Sequence, residues 1–164
     1  MGLSKEFDTI LRDKASQYGI PYEIVYSVIG SESTFDNTLV GDNGDSFGLF
    51  QINKPSHADF DVSKYKDIEY QADYQLPELK RYYDKGVSQG LHGVELAQYV
   101  ERYGQRPVWT DTVANNISKF YNEIVGSSGN TGVENKSSDG YTIPSWLESI
   151  TEPIAFYIFF VVFI

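Results

Sequence analysis

Apolar residues recur at three- and four-residue spacing over several stretches of the chain, and this spacing predicts helices. The first predicted helix ends at Gly19, a residue type that commonly follows the last helical turn. Its apolar positions are Phe7, Ile10, Leu11, Ala15 and Tyr18. The second opens with Pro21, which suits a first helical turn, and it ends close to Glu32. Its apolar positions are Ile24, Val25, Val28 and Ile29.

Three more helices are predicted towards the C-terminus. One covers residues 68–83, and Pro77 is expected either to kink it or to split it. A shorter helix has Val94, Ala97 and Val100 on one side. Thr110 can cap the last helix, whose apolar positions are Val113, Ile117, Phe120, Tyr121 and Ile124. Residues 36–55 are rich in Gly, Asn, Asp and Ser, which predicts an extended loop or a short β-ribbon. The fold class is therefore mostly α, with about five helices.

Composition divides the 164 residues into three parts. Residues 1–125 carry the helical patterns and are long enough for one domain with its own core. Residues 126–140 read GSSGNTGVENKSSDG, the composition of a flexible linker. Residues 141–164 form a hydrophobic appendix that closes with the apolar run PIAFYIFFVVFI. The sequence does not determine the oligomeric state.

Charge and composition argue against several classes of partner and of functional site. The net charge of −10 would repel a phosphate backbone, so nucleic acid is not an expected partner. Cysteine is absent, which excludes disulfides, thiolate metal sites and Cys nucleophiles. The two histidines, His57 and His92, lie outside any zinc-ligand spacing. We therefore expect neither a metal nor a cofactor.

Glu32 is an unusual residue because it falls on the apolar stripe of the second predicted helix, beside Val28 and Ile29. Two interpretations are open. In one, the helix has ended and the carboxylate turns to solvent. In the other, the carboxyl lies against apolar walls, which raise its pKa and keep a proton available near neutral pH. Cleavage of a glycosidic bond needs such a proton for the leaving oxygen.

An ordered set of motifs begins at Glu32 and resembles a known family. The set comprises Glu32-Ser33, Gly41-Asp42, Ser46-Phe47-Gly48-Leu49-Phe50-Gln51, Asn53-Lys54 and Ser56-His57. It resembles the lysozyme-like domain of soluble lytic transglycosylases and goose-type lysozymes, with Phe50 in place of a Met. The resemblance implies a lysozyme-like helical fold with a ribbon or loop after the catalytic helix. It also implies cleavage of the β-1,4 bond between N-acetylmuramic acid and N-acetylglucosamine, with peptidoglycan glycan strands as the substrate.

The resemblance makes Glu32 the general acid and base, and two reactions stay open. In a lytic transglycosylase the muramyl 6-hydroxyl attacks, and a 1,6-anhydro end forms without water. In a goose-type muramidase Asp42 would position a water for hydrolysis. That family carries another Asp where this chain has Asn53, and an amide cannot act as a base. A third hypothesis is a glycan-binding or structural module that kept the fold and lost turnover.

Six further residues are expected to bind or orient the substrate: Ser46, Gly48, Phe50, Gln51, Tyr99 and Tyr103. Gly48 would let the backbone approach a sugar closely, and Gln51 would supply amide hydrogen bonds. Tyr99 and Tyr103 compete for the role of a tyrosine that orients the catalytic glutamate in the family. Neither is followed by the Asn usual there.

The sequence of residues 144–164 is compatible with four structures: part of a membrane anchor, a membrane-inserting segment, a packed strand or helix, or a longer membrane span within which the chain is cut short. Trp146 and Tyr157 resemble interfacial anchors, so we expect membrane contact through this segment. The N-terminus MGLSKEFDTILRDK lacks the apolar core of a signal peptide. We therefore expect action at the cell envelope or outside the cell, after delivery by a phage particle or a secretion machine.

Overall fold

The computed structural model describes residues 2–105 and 109–128, which form five α-helices and a small antiparallel ribbon. The helices are α1 (Lys5–Tyr18), α2 (Tyr22–Ser33), α3 (Ile68–Ser88), α4 (Gly93–Gly104) and α5 (Asp111–Ser128). The strands are β1 (Val40–Gly41), β2 (Ser46–Phe47) and β3 (Ile52–Asn53), hydrogen-bonded in that order. The predicted mostly α fold, with a ribbon after the second helix, is confirmed.

The helix ends follow the local signals in most cases. Gly19 ends α1 in a left-handed conformation, with φ 66°, and its N–H bonds to the last helical carbonyls. The Thr110 hydroxyl accepts a hydrogen bond from the Val113 N–H at 3.3 Å, as an N-cap does. Pro21 lies just before α2 and not within its first turn.

Pro77 does not split α3, which continues through it from Ile68 to Ser88. Of the two outcomes expected at this proline, the split is therefore wrong. The apolar stripe of α3 runs across the proline, and Leu76 and Leu79 on either side of it are fully buried. Tertiary packing on both sides stabilises the helix and offsets the backbone hydrogen bond that proline cannot donate.

Helix α2 lies at the centre of the core, and most of its residues are buried. It packs closely on α5, because a Cβ added at Gly30 would lie only 2.6 Å from the Phe120 ring. Phe120 also packs edge-on against Phe35, at 5.2 Å between ring centroids, and Phe35 contacts Tyr26 at 4.7 Å. These aromatic contacts fix the C-terminal end of α2, which carries Glu32.

The predicted domain boundary near residue 125 stays a prediction. Helix α5 continues to Ser128, and the rest of the predicted linker and the hydrophobic residues 141–164 lie outside the described residues. The expected membrane contact of residues 144–164 falls there too. Within the described part of the chain, every helix is too short or too polar to cross a membrane.

Candidate active site at the end of α2

Glu32 lies in the last turn of α2, one residue before the helix ends at Ser33, and its side chain is partly buried. Val28 and Ile29, on the preceding turn, are fully buried. The helix therefore carries Glu32 at the edge of its apolar face, as the spacing predicts. The alternative in which the helix ends before Glu32 is not observed.

The backbone after Glu32 is strained. Thr34 and Phe35 have φ of 52° and 67°, the left-handed region that non-glycine residues seldom adopt. The other non-glycine residues with positive φ in the described chain are Asp42, Asn43 and Gln51. All five lie within 20 residues of Glu32. Each such residue costs about 1–3 kcal/mol of folding stability. The strain persists where surrounding contacts hold the backbone in place, and it is frequent at functional sites.

A chain of hydrogen bonds runs across the ribbon to Asp42. Ser46 pairs with Gly41 on one side and with Asn53 on the other. The Asn53 Nδ2 donates to the Ser46 Oγ at 3.3 Å, and the Ser46 hydroxyl donates to Asp42 Oδ2. The Asn53 Oδ1 accepts from the Ser56 N–H and hydroxyl at 3.1 and 2.9 Å, which orients the amide. A carboxylate at residue 53 could not donate to Ser46.

Gln51 clamps the ribbon from within. Its Nε2 donates to the carbonyl oxygens of Leu39 and Gly48, at 3.2 and 2.8 Å. Its Oε1 lies so close to Gly41 that a Cβ there would overlap it. Because both Nε2 hydrogens are engaged, Gln51 could offer a sugar only its Oε1 without breaking the clamp.

Three other predicted binding residues are buried in the ribbon. Ser46 is 1% exposed, Phe50 is fully buried, and Gly48 is buried with φ 74°. In this conformation they can act on a ligand only by shaping the surface above them. Asp42, by contrast, is exposed at the end of the hydrogen-bond chain. The substrate roles assigned to these residues stay predictions.

Tyr99 and Tyr103 lie together on the flank of α4 that faces the far end of α3. Their ring centroids are 4.6 Å apart, and the Tyr99 hydroxyl accepts from Gln89 Nε2 at 3.2 Å. Tyr99 also lies against Gly86 of α3, whereas the ribbon contacts α3 at Gln71. Those two α3 positions are about 22 Å apart along the helix axis. The structure does not bring Tyr99 to the ribbon, and its role in orienting Glu32 stays a prediction.

The sequence interpretation missed several polar residues that the structure buries, among them Gln71, Gln75 and Glu101, with exposures of 0%, 1% and 0%. Gln71 and Gln75 lie on the apolar stripe of α3, and Glu101 lies one turn after the buried Ala97 on α4. The signal that could have found them is the one that singled out Glu32, a polar residue at core spacing. Among residues 2–105 and 109–128, no three His, Asp or Glu side chains are grouped to hold a metal ion.

The family comparison covers this part of the molecule. Residues 9–78 match the family model described as Transglycosylase SLT domain. The matched segment runs from α1 through α2 and the ribbon into α3, so it includes Glu32, Asp42 and Gln71. Comparison with curated proteins and with solved structures found no match. Residues 9–78 are therefore similar to a transglycosylase SLT domain, and this confirms the resemblance to the lysozyme-like superfamily.

Proposed function

We propose that the protein is a lytic transglycosylase that cleaves the β-1,4 bond between N-acetylmuramic acid and N-acetylglucosamine in peptidoglycan. A transglycosylase SLT domain indicates a peptidoglycan-degrading enzyme of this general type. The observation that carries the assignment of the acid is the position of Glu32, a partly buried carboxyl in the last turn of the central helix. A carboxyl is one of the side chains that can act as general acid, and glycosidic cleavage needs such a donor for the leaving oxygen.

The proposed reaction needs one carboxyl and no water. Glu32 protonates the glycosidic oxygen, and the bond from that oxygen to the muramyl C1 breaks. The Glu32 carboxylate then accepts the proton of the muramyl 6-hydroxyl, and the oxygen of that hydroxyl bonds to C1. A 1,6-anhydro end forms, and Glu32 regains the proton that it donated, so the enzyme is ready for another turnover.

A second candidate function is hydrolysis of the same bond by a muramidase mechanism. One observation favours it: Asp42 is an exposed carboxylate whose Oδ2 is held by the Ser46 hydroxyl. Inverting hydrolysis needs such a base about 6.5–9.5 Å from the acid, with room for a water between them. Asn53, the amide on the other side of Ser46 in the hydrogen-bond chain, cannot replace Asp42 as a base.

Digestion of purified sacculi, followed by mass spectrometry of the products, tests the proposal. We expect wild-type protein to release 1,6-anhydro-muropeptides. The Glu32→Gln variant should lose about 10²- to 10⁴-fold in rate, because it keeps the shape and removes the proton. Glu23→Gln is the matched control, since it makes the same change in the first turn of the same helix.

The outcomes separate the three hypotheses. Equal release by wild type and Glu32→Gln would eliminate Glu32 as the acid. Products with reducing ends, abolished by Asp42→Asn, would establish the muramidase. Binding to sacculi with no release at all would leave a glycan-binding module. The expected delivery by a phage particle or secretion machine and the membrane contact of residues 144–164 stay predictions.

A further inference from the structure

The fully buried side chain of Gln71 bonds to three other segments of the chain, two of them more than 20 residues away in sequence. Its Nε2 donates to the Asn37 side-chain oxygen and to the Tyr65 carbonyl oxygen. Its Oε1 accepts a long hydrogen bond from the Phe50 N–H, at 3.5 Å. The first α3 turn is thereby tied to the segment after Glu32, to the turn between β2 and β3, and to the loop before α3.

A primary amide is well suited to this position. It offers two donors on one atom and an acceptor on the other, and it is uncharged. Burying such a group is costly unless its hydrogen bonds are made, and here both ends of the amide are engaged. Asn37, only 8% exposed, is itself held because its Nδ2 donates to the Lys66 carbonyl at 2.8 Å.

Gly48 is shaped to receive Gln71. A Cβ at residue 48 would lie 2.6 Å from the Gln71 Cδ, and φ at Gly48 is 74°. Glycine meets both requirements, because it has no Cβ and adopts positive φ readily. The two residues thus form a matched contact between α3 and the ribbon, and neither can be enlarged without moving the other.

We infer that Gln71 is a positioning residue that sets the placement of the ribbon relative to the Glu32 carboxyl. Asn37 lies five residues after Glu32, beyond the left-handed pair Thr34 and Phe35. Phe50 precedes Gln51, the internal clamp of the ribbon. Gln71 bridges these two sides, so its loss removes the tie that runs through α3. The bonds from Gln51 and Gly48 to the Leu39 carbonyl remain. This inference rests on the proposed function.

The test compares Gln71→Met with Gln75→Met in the full chain. Both glutamines are buried in α3, but the Gln75 Nε2 donates to the Gly104 carbonyl of α4, at 3.4 Å, and not to the ribbon. Both variants should melt at lower temperature. Only Gln71→Met should also lower kcat on soluble glycan strands, by about 10- to 100-fold with KM changed less, because misplacement of about 1 Å can cost that much.

Gln71→Glu adds a readout that a purely structural role would not move. When the new carboxyl is ionised, the oxygen that replaces Gln71 Nε2 would face two acceptors, the Asn37 side-chain oxygen and the Tyr65 carbonyl. When protonated, its hydroxyl could donate to one of them and restore part of the bridge. We therefore expect the ratio of its kcat to that of the wild type to rise as pH falls. The same ratio for Gln75→Met should stay flat.

Equal kcat losses in the two Met variants, or none in Gln71→Met, would overturn the inference. A Gln71→Met variant that does not fold leaves the decision to Gln71→Glu, for which a pH-independent ratio would overturn it. If wild-type protein cleaves nothing, the proposed function fails separately. In that case, hydrogen exchange at residues 46–53 tests the inference about Gln71. Faster exchange in Gln71→Met than in Gln75→Met would support the bridge, and equal exchange would overturn it.

Discussion

The five helices and the ribbon segment, defined as residues 34–53, differ in backbone conformation. Within the described residues, the ribbon segment contains five non-glycine residues with positive φ, and helices α1–α5 contain none. The helices satisfy their backbone groups internally and are stabilised by packing of their apolar faces. The ribbon segment depends on side chains that bond to its backbone. Gln51 donates from within it to the Leu39 and Gly48 carbonyls, and Gln71 of α3 accepts from the Phe50 N–H.

This difference has a consequence for substitutions. In the helical body a change should affect stability in proportion to the apolar volume that it removes. In the ribbon segment a change should affect the geometry near Glu32 beyond its effect on stability, because each side-chain bond there fixes a strained backbone. A substitution in the helical body should therefore change mainly stability, whereas a substitution in the ribbon segment should change activity as well.

The largest loss of stability is expected from Leu11→Ala in α1. Leu11 is fully buried, and such truncations cost about 2–5 kcal/mol through lost burial and the cavity left behind. Urea unfolding measures this loss, while kcat per folded molecule should stay near the wild-type value. Val87→Ala is the control, since Val87 is 47% exposed and should change stability by about 0.5 kcal/mol or less. A large fall in kcat for folded Leu11→Ala would break the comparison.

Gly48→Ala should cost about 2–4 kcal/mol, from left-handed strain and from overlap with Gln71. It should also lower kcat. Gly44→Ala isolates the strain, because Gly44 has φ 106° but no atom within 4 Å of an added Cβ. Its cost should therefore be smaller, with kcat nearly unchanged. If both variants lose the same stability and activity, the Gly48–Gln71 contact has no role of its own.

Thr34→Gly is expected to have the smallest effect and the opposite sign. Thr34 is exposed and adopts φ 52° at the end of α2, a position where glycine carries no Cβ penalty. Thermal unfolding should show a gain of up to about 1 kcal/mol. Thr38→Gly, at an exposed site without positive φ, should destabilise instead, because it removes the hydroxyl that donates to Asp36 Oδ1 and increases the backbone freedom of the unfolded chain. Destabilisation by Thr34→Gly would show that the strain at Thr34 is not relieved by glycine.

The helices could be predicted from the sequence because their signals are local. Gly19 and Thr110 act within one helical turn, and the recurrence of apolar residues places Glu32 on the core side of α2. The resemblance to the SLT family also begins at Glu32 and extends through the ribbon, and the family match covers this region. All these signals depend on residues close together in the chain.

Only the tertiary structure decided which of the predicted residues meet. It buried Ser46 and Phe50, placed Tyr99 beside the far end of α3, and brought Gln71 under the ribbon. Those outcomes depend on contacts between segments tens of residues apart, such as the bond from Gln71 to Asn37. Spacing along one helix shows that a polar side chain faces inward, but its partner there is set by how the other segments pack around it.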